Sequence, residues 1–283
     1  MLSSAQNAMS VDVEDYFQVS AFENIISRDS WDTLPLRVDY STNRLLDLFA
    51  RKQVKATFFT LGWVAERRPD LVRKIVAEGH EIASHGYGHE RVTEMSRDAF
   101  RQDVDRAKKI LEDISGEEVI GYRAPSFSIN DTNRWVFDEL VALGYRYSSS
   151  TYPVKHDLYG VPHWPRFKYK LDNGLIEIPM TTLKIGEKTI PISGGGFFRL
   201  YPYWLTRFML SLFHRRESAP GIFYMHPWEL DAEQPRQANL PAKTRFRHYL
   251  NINKHERRLE KLVSDFKWGR MDEVFSIREA VNA

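Results

Sequence analysis

The sequence predicts a parallel α/β fold able to close as a barrel, and three observations carry that expectation. Short β-rich runs alternate with helical segments about seven times along the chain. Several of the helical segments stop at a glycine, as helices that hand over to a strand commonly do. The polar residues best suited to chemistry (Asp12, His85, Arg123 and His226) each fall where a strand ends, the face of such a fold that carries function.

The first strand is Ala8 to Val13, running into the acidic cluster Asp12, Glu14 and Asp15. A long connection, Tyr16 to Tyr40, holds Trp31 and Pro35. Ser41 is then expected to cap a helix whose Leu45, Leu46, Leu48 and Phe49 have helical spacing. Lys55 to Thr60 reads as strand two, ended by Gly62; Pro69 opens a helix from Leu71 to Glu78, closed by Gly79. Strand three is His80 to Ala83, Ser96 caps a long helix to Ile114, and strand four is Val119 to Tyr122. Asn130 or Asp131 caps a helix through Leu143, and Tyr145 to Ser148 is strand five. Ser149 to Asn173 reads as a loop rich in proline and aromatics, with Leu175 to Ile178 as strand six. Pro202 opens a helix to about Arg216, Gly221 to Met225 is strand seven, and a charged helix covers about Lys243 to Phe266.

Composition bounds the function. Forty basic against 38 acidic residues give a net charge of +2, which argues against a nucleic-acid surface. With no cysteine, disulfides and thiolate metal sites are excluded, so any metal is held by His, Asp or Glu. The sequence has no apolar run long enough for a transmembrane helix. Met1 to Met9 lacks the charged and apolar regions of a secretory signal, so the expected location is cytoplasmic.

Ser84-His85-Gly86-Tyr87-Gly88-His89 sets two imidazoles four residues apart, with glycines that let the backbone fold both onto one point. A carboxylate from the first strand end completes a His–His–carboxylate set with open positions. Asp12 and Glu14 share a face of an extended segment; Glu14 is favoured as ligand, with Asp15 able to serve if the chain turns at Val13. A second carboxylate, Asp12, is then free to take a proton from water, with Arg123 holding it ionised. His226 is placed to deliver a proton to a departing amine.

These stretches resemble the polysaccharide deacetylases of carbohydrate esterase family 4, the NodB-homology group. Ser10-Val11-Asp12-Val13-Glu14-Asp15-Tyr16-Phe17 is similar to the first motif of the exosortase- and exopolysaccharide-associated subgroup of its peptidoglycan-deacetylase/allantoinase-like branch. Ala56-Thr57-Phe58-Phe59, Gly79 to His85, Arg123-Ala124-Pro125-Ser126-Phe127 and Tyr224-Met225-His226-Pro227-Trp228 match the family core. Gly194 to Leu200 and Arg247 to Asn251 look like subgroup features, the glycine run forming a tight loop at the barrel mouth.

The resemblance implies a distorted (β/α)7 barrel spanning 1–283 as one domain, with about 230–283 a helical extension packed on it. It implies Asp12 as base, His85 and His89 as ligands of a divalent metal, Arg123 as the group orienting the base and His226 as acid. Zn²⁺ is the expected cofactor, with Co²⁺, Ni²⁺ or Mn²⁺ as alternatives. Pro125, Phe127 and Trp228 flank these residues and are expected to contact substrate. Trp164, with Phe167 and Tyr169, is expected to stack on sugar rings from the loop. The implied reaction is removal of acetyl from an N-acetylated exopolysaccharide or peptidoglycan-like glycan. Hydrolysis of a small amide or ureide, or saccharide binding without turnover, stands as the alternative. Two departures from the family pattern are legible: Val13 separates Asp12 from Glu14, and Tyr147-Ser148-Ser149-Ser150 lacks the usual strand-five aspartate.

Overall fold

The computed structural model describes residues 6–156 and 159–278. Residues 1–5 of the Met1 to Met9 segment, 157–158 of the aromatic loop and the last five of the expected extension lie outside the described residues. The strands are β1 (Gln6–Val13), β2 (Thr57–Thr60), β3 (Glu81–Ser84), β4 (Gly121–Tyr122), β5 (Tyr147–Ser148) and β6 (Tyr169–Lys170). They continue as β7 (Ile176–Glu177), β8 (Thr182–Ile185), β9 (Lys188–Pro191), β10 (Ile222–Met225) and β11 (Lys267–Gly269). The first helices are α1 (Val38–Lys52), α2 (Gly62–Arg67), α3 (Pro69–Ala77), α4 (Arg97–Ser115) and α5 (Val136–Ala142). The rest are α6 (Gly195–Leu200), α7 (Tyr203–Arg216), α8 (Ala242–Tyr249), α9 (Ile252–Asp265) and α10 (Met271–Val274).

Seven strands pair in parallel in the order β10-β1-β2-β3-β4-β5-β7, and β6 adds antiparallel to the outer edge of β7. β1 is buried from Asn7 onward, as a strand covered on both faces must be. The sheet curls but, among the described residues, no strand pairing joins β7 to β10. There Thr181 Oγ1 accepts a hydrogen bond from Ile222 N at 2.5 Å, a side-chain stitch in place of a ladder. The result is a distorted, incompletely closed barrel. The helices pack their apolar stripes around it, with Leu45, Leu46, Leu48 and Phe49 of α1 all fully or almost fully buried.

Several sequence expectations shift. Helix α1 begins three residues before Ser41, because the carboxylate of Asp15 caps its first turn from another element. Gly62 does not end a strand region but starts α2. The single charged helix expected from Lys243 to Phe266 is two, broken at Asn251, whose φ of 51° takes the backbone out of the helical region. Ser96 caps α4 as its position predicts, accepting from Ala99 N at 3.2 Å. The hairpin β8–β9 and strand β11 have no counterpart in the sequence reading. Through β11, the expected extension does more than pack on the barrel: it pairs with Gln6–Ala8 of β1. Met271 then enters the barrel's lower end, its N donating to Thr57 Oγ1 at 2.8 Å.

Candidate active site

Strand β1 ends at Val13 and the chain turns at once, Glu14 N donating to the Asp12 carbonyl at 3.1 Å. That turn sends the three acidic side chains in different directions. Asp15 faces α1, where Oδ2 accepts from Arg37 N (2.7 Å) and Val38 N (2.9 Å) and Oδ1 from Tyr16 N (2.8 Å). Both its oxygens are committed to backbone amides, Oδ2 to those at the N-terminus of α1, a favourable place for an anion. The alternative that Asp15 serves as third ligand is corrected on this geometry.

Glu14 faces the histidines. One oxygen of its carboxylate and one ring nitrogen each of His85 and His89 lie within 4.8 Å of one another, all three residues buried. Burial opposes charge on Glu14, but attraction to His89, His226 and His85 outweighs it and holds the carboxyl down at about 2. Burial pulls His85 down to about 4, so the ring is neutral at physiological pH. Its Nδ1 donates to the Arg123 carbonyl at 2.8 Å, which fixes the tautomer and leaves Nε2 as the lone-pair nitrogen. His89 Nε2 stands 2.8 Å from Glu14 Oε2, yet that oxygen is buried without an aligned hydrogen bond. The other oxygen accepts from Trp228 Nε1 at 3.2 Å.

The turn between the histidines is built from outside. Asp103, on α4, accepts from Tyr87 N (2.8 Å) and Gly88 N (3.2 Å). Gly86 has φ +75°, and a Cβ there would lie 2.8 Å from Asp103 Oδ2, so only glycine fits. The first amides of α2, Gly62 N and Trp63 N, donate to the carbonyls of Gly86 and Tyr87. Arg28 closes the far side by donating to the carbonyls of Gly88 and His89.

Asp12 and Arg123 meet inside the barrel, Nη1 donating to Asp12 Oδ1 at 2.6 Å. The guanidinium is fully buried and sits 4.0 Å over the Phe59 ring. Its remaining partners are neutral: Ser10 Oγ (2.9 Å), the Ser149 carbonyl (3.0 Å), Ser149 Oγ (3.1 Å) and Met271 Sδ (3.9 Å). Among the described residues Asp12 is thus its only carboxylate partner. Where strand five lacks an aspartate, buried Glu177 on β7 takes up the turn that carries Ser149. Its Oε1 accepts from Ser150 N, Thr151 N (both 2.9 Å) and Thr151 Oγ1 (2.7 Å).

His226 follows β10, with Nε2 3.6 Å from Glu14 Oε1 and Nδ1 3.6 Å from Glu229 Oε2. Burial works against its charge, but Glu14, Glu229 and Asp12 outweigh burial and raise it to about 9. Glu229 is itself held by buried Arg199 at 2.8 Å and accepts from His226 N at 3.0 Å. Gly195 makes room for that carboxylate: a Cβ there would fall 1.8 Å from Glu229 Oε2. Trp228 stacks between His226 (5.3 Å, 20°) and His248 (4.3 Å, 12°).

Asp12, Glu14, His85, His89 and His226 floor a cleft of about 200 Å³ walled by Val19, Ser20, Ser126, Phe127, Tyr159, Tyr224 and Trp228. Ser20 and Ser126 meet across it, Oγ to Oγ at 2.5 Å. A larger hollow of about 570 Å³ under residues 17–31 adjoins it at Val19, Ser20 and His89. Phe127 and Trp228 line the cleft; Pro125 is buried at the start of a 3₁₀ turn and does not. Trp164 is also corrected: it is buried, donates to Asp131 Oδ1 at 2.9 Å and lies under Arg134, away from the cleft. Phe167 packs on Phe213. Sequence reasoning missed Asp103 and Glu177, whose only local signal was an acid inside an otherwise ordinary helix or strand; Arg199 lies in the Gly194 to Leu200 run that stood out as a subgroup feature, but without a role assigned to it.

Comparison with known proteins adds the following. Residues 30–148 match the Polysaccharide deacetylase family model, and residues 149–276 match a domain of unknown function, DUF3473. The barrel sheet draws on both segments, since β5 at the end of the first pairs with β7 of the second. A peptidoglycan-N-acetylglucosamine deacetylase of Bacillus cereus is 37% identical over 75 residues, 26% of this chain and 27% of that one. A chitooligosaccharide deacetylase of Rhizobium leguminosarum bv. trifolii is 35% identical over 72 residues, 25% of this chain and 34% of that one. The chain therefore spans well under half the length of these curated relatives. Among solved structures, a Mycobacterium smegmatis chain described as a polysaccharide deacetylase aligns with TM-score 0.62 at 19% identity, covering 99% of this chain and 96% of that one. Puue allantoinase aligns with TM-score 0.60 at 19% identity, covering 98% and 90%. At such identities these two establish the fold alone.

Proposed function

We propose, from the membership of residues 30–148 in the polysaccharide deacetylase family, that this chain is a metal-dependent hydrolase removing N-acetyl groups from an N-acetylated saccharide. One observation carries the reading: the Glu14/His85/His89 cluster, the Asp12–Arg123 pair and His226 converge on one cleft. The residues fit a divalent cation. Two histidines and a carboxylate offer three donors within reach of one ion, and a buried Glu14 oxygen is left without a hydrogen bond. That N₂O donor set suits Zn²⁺, with Co²⁺, Ni²⁺ or Mn²⁺ also accommodated. When bound, the cation supplies Lewis acidity toward a carbonyl and acidifies water.

The chain's own residues supply the rest. Asp12, oriented by the hydrogen bond from Arg123 Nη1, accepts the proton of the attacking water. Charged His226, steadied by Glu229, donates to the departing amine. Phe127, Tyr224 and Trp228 give the cleft apolar walls for a sugar face. The adjoining hollow leaves room for further sugar, so we read the substrate as an oligomer of N-acetylated hexosamine, from an exopolysaccharide or a peptidoglycan-like glycan.

The test is acetate release from a chain-length series of N-acetylglucosamine oligomers, run beside allantoin with Zn²⁺ present. Oligomers are expected to react faster than the monosaccharide, because remote contacts help to orient the acetamide. Asp12→Asn is expected to retain the metal and lose on the order of 10²-fold or more in kcat. Turnover of allantoin with no acetate from any glycan overturns the reading in favour of ureide hydrolysis.

A further inference from the structure

Helix α7 is apolar on both sides. Thr206, Met209, Leu210 and Phe213 face the core. On the outer side Trp204 is 67% exposed and Phe208, one turn on, 52%, with Leu200 just before the helix at 47%. One exposed aromatic is ordinary, but two on adjacent turns beside an exposed leucine form a contiguous apolar ridge. The charge of its own segment has one sign. From Lys188 to Arg216 the sequence contains no aspartate or glutamate, and Arg207, Arg215 and Arg216 of α7 are exposed. Asp265 of α9 pairs with Arg207 at 2.9 Å.

A second element repeats the pattern. Among the described residues the hairpin β8–β9 pairs only with itself, and it ends in Ile185, 49% exposed, between exposed Lys184 and Lys188, with Glu187 as the one acid at its tip. Arg166 ties the hairpin to the end of α7, donating to the Thr182 carbonyl at 2.9 Å and to Glu217 at 3.0 Å. We propose that α7 and this hairpin form a docking face for an anionic lipid bilayer. Apolar and aromatic side chains ringed by arginine and lysine match a surface that is greasy beneath and negative above. A second copy of the chain fits less well, because a two-fold contact would bring exposed Arg215, Arg216, Lys184 and Lys188 together, while the neighbouring acids Asp265 and Glu217 are already paired with Arg207 and Arg166. Among the described residues no helix is long and apolar enough to cross a membrane, so the contact is with the surface.

The proposal does not depend on the reaction, and its test needs no substrate. The full chain is sedimented with phosphatidylcholine vesicles, with and without about a quarter phosphatidylglycerol, in roughly 50 mM and roughly 0.5 M salt. The expected result is at least about tenfold stronger partitioning to anionic vesicles, weakened by salt. Trp204→Ser/Phe208→Ser is expected to lower that partitioning by about tenfold, and Arg215→Glu/Arg216→Glu to abolish the anionic preference. These side chains are exposed, so an unchanged melting temperature confirms that both variants fold. Absence of binding to anionic vesicles overturns the proposal, as does equal binding by wild type and both variants. A dimer seen by light scattering that disappears in Trp204→Ser/Phe208→Ser, without vesicle binding, overturns it by assigning the face to self-association.

Discussion

Replacing Asp103 by alanine tests how the histidine pair is held. Asp103 touches neither the proposed metal nor the cleft; it accepts from Tyr87 N and Gly88 N, the two amides between His85 and His89. Removing the carboxylate leaves both donors without their acceptor, at about 1–3 kcal/mol for each that stays buried. Burial raises the Asp103 pKa despite those bonds, so truncation also removes a desolvation cost. A net loss of about 1–3 kcal/mol is therefore expected rather than the full sum. The larger effect falls on the site. Gly86 at φ +75° and His89 at φ +52° keep a turn that a free chain does not favour, and a slackened turn lets His89 drift from Glu14. Loss of a second-layer contact of this kind costs about 10–100-fold in metal affinity. Competition of the protein with a chromogenic chelator for Zn²⁺ gives the affinity, and urea unfolding of the metal-free chain gives the stability. If stability falls as expected while Zn²⁺ affinity stays at the wild-type value, the argument that Asp103 positions His89 is refuted.

Ser149→Ala removes one partner of Arg123, and Glu177→Gln loosens the turn that carries it; each is expected to lower kcat by about tenfold with KM and metal affinity unchanged, as steady-state kinetics beside a Zn²⁺ titration would show. Gly195→Ala places a methyl onto the Glu229 carboxylate, so a loss of about 1–3 kcal/mol by urea unfolding is expected, and an unchanged midpoint would mean that α6 shifts freely. Buried His80 accepts from Ala56 N through Nδ1, and burial holds its pKa down at about 4 from 6.5. The unfolded chain then binds the proton more readily, so this stability is complete above about pH 6.5 and is lost as pH falls toward 4. Between about pH 7 and pH 5 the share of His80 is about 2 kcal/mol, measured as the difference in unfolding free energy that His80→Asn, which can still accept from Ala56 N, should reduce.

Much of the scaffold is legible in local sequence. Ser96 caps α4, Pro69 opens α3, and His85, Arg123 and His226 directly follow β3, β4 and β10, at strand ends as their sequence positions predicted. These depend on capping, on φ preferences and on hydrophobic period, all set within a few residues. The His85–His89 spacing with its glycines is of the same kind. The aromatic residues of the long loops are not. Trp31 packs on Phe17 and Trp63 in the core, and Trp164 turns to Asp131, because a large apolar side chain is buried wherever the tertiary fold offers a surface.

The sequence by itself determined the alternation of strands and helices and brought candidate metal ligands, acid and base to one end of the barrel. Only the tertiary structure decided between neighbours. Glu14 and Asp15 have nearly the same chemistry, and their fates diverge because the chain turns after Val13, sending one to His89 and the other to the amides of α1. Arg123 reaches Asp12 across 111 residues and Trp228 reaches Glu14 across 214. Contacts of that separation follow from how strands are ordered around a barrel, and no local propensity encodes the order.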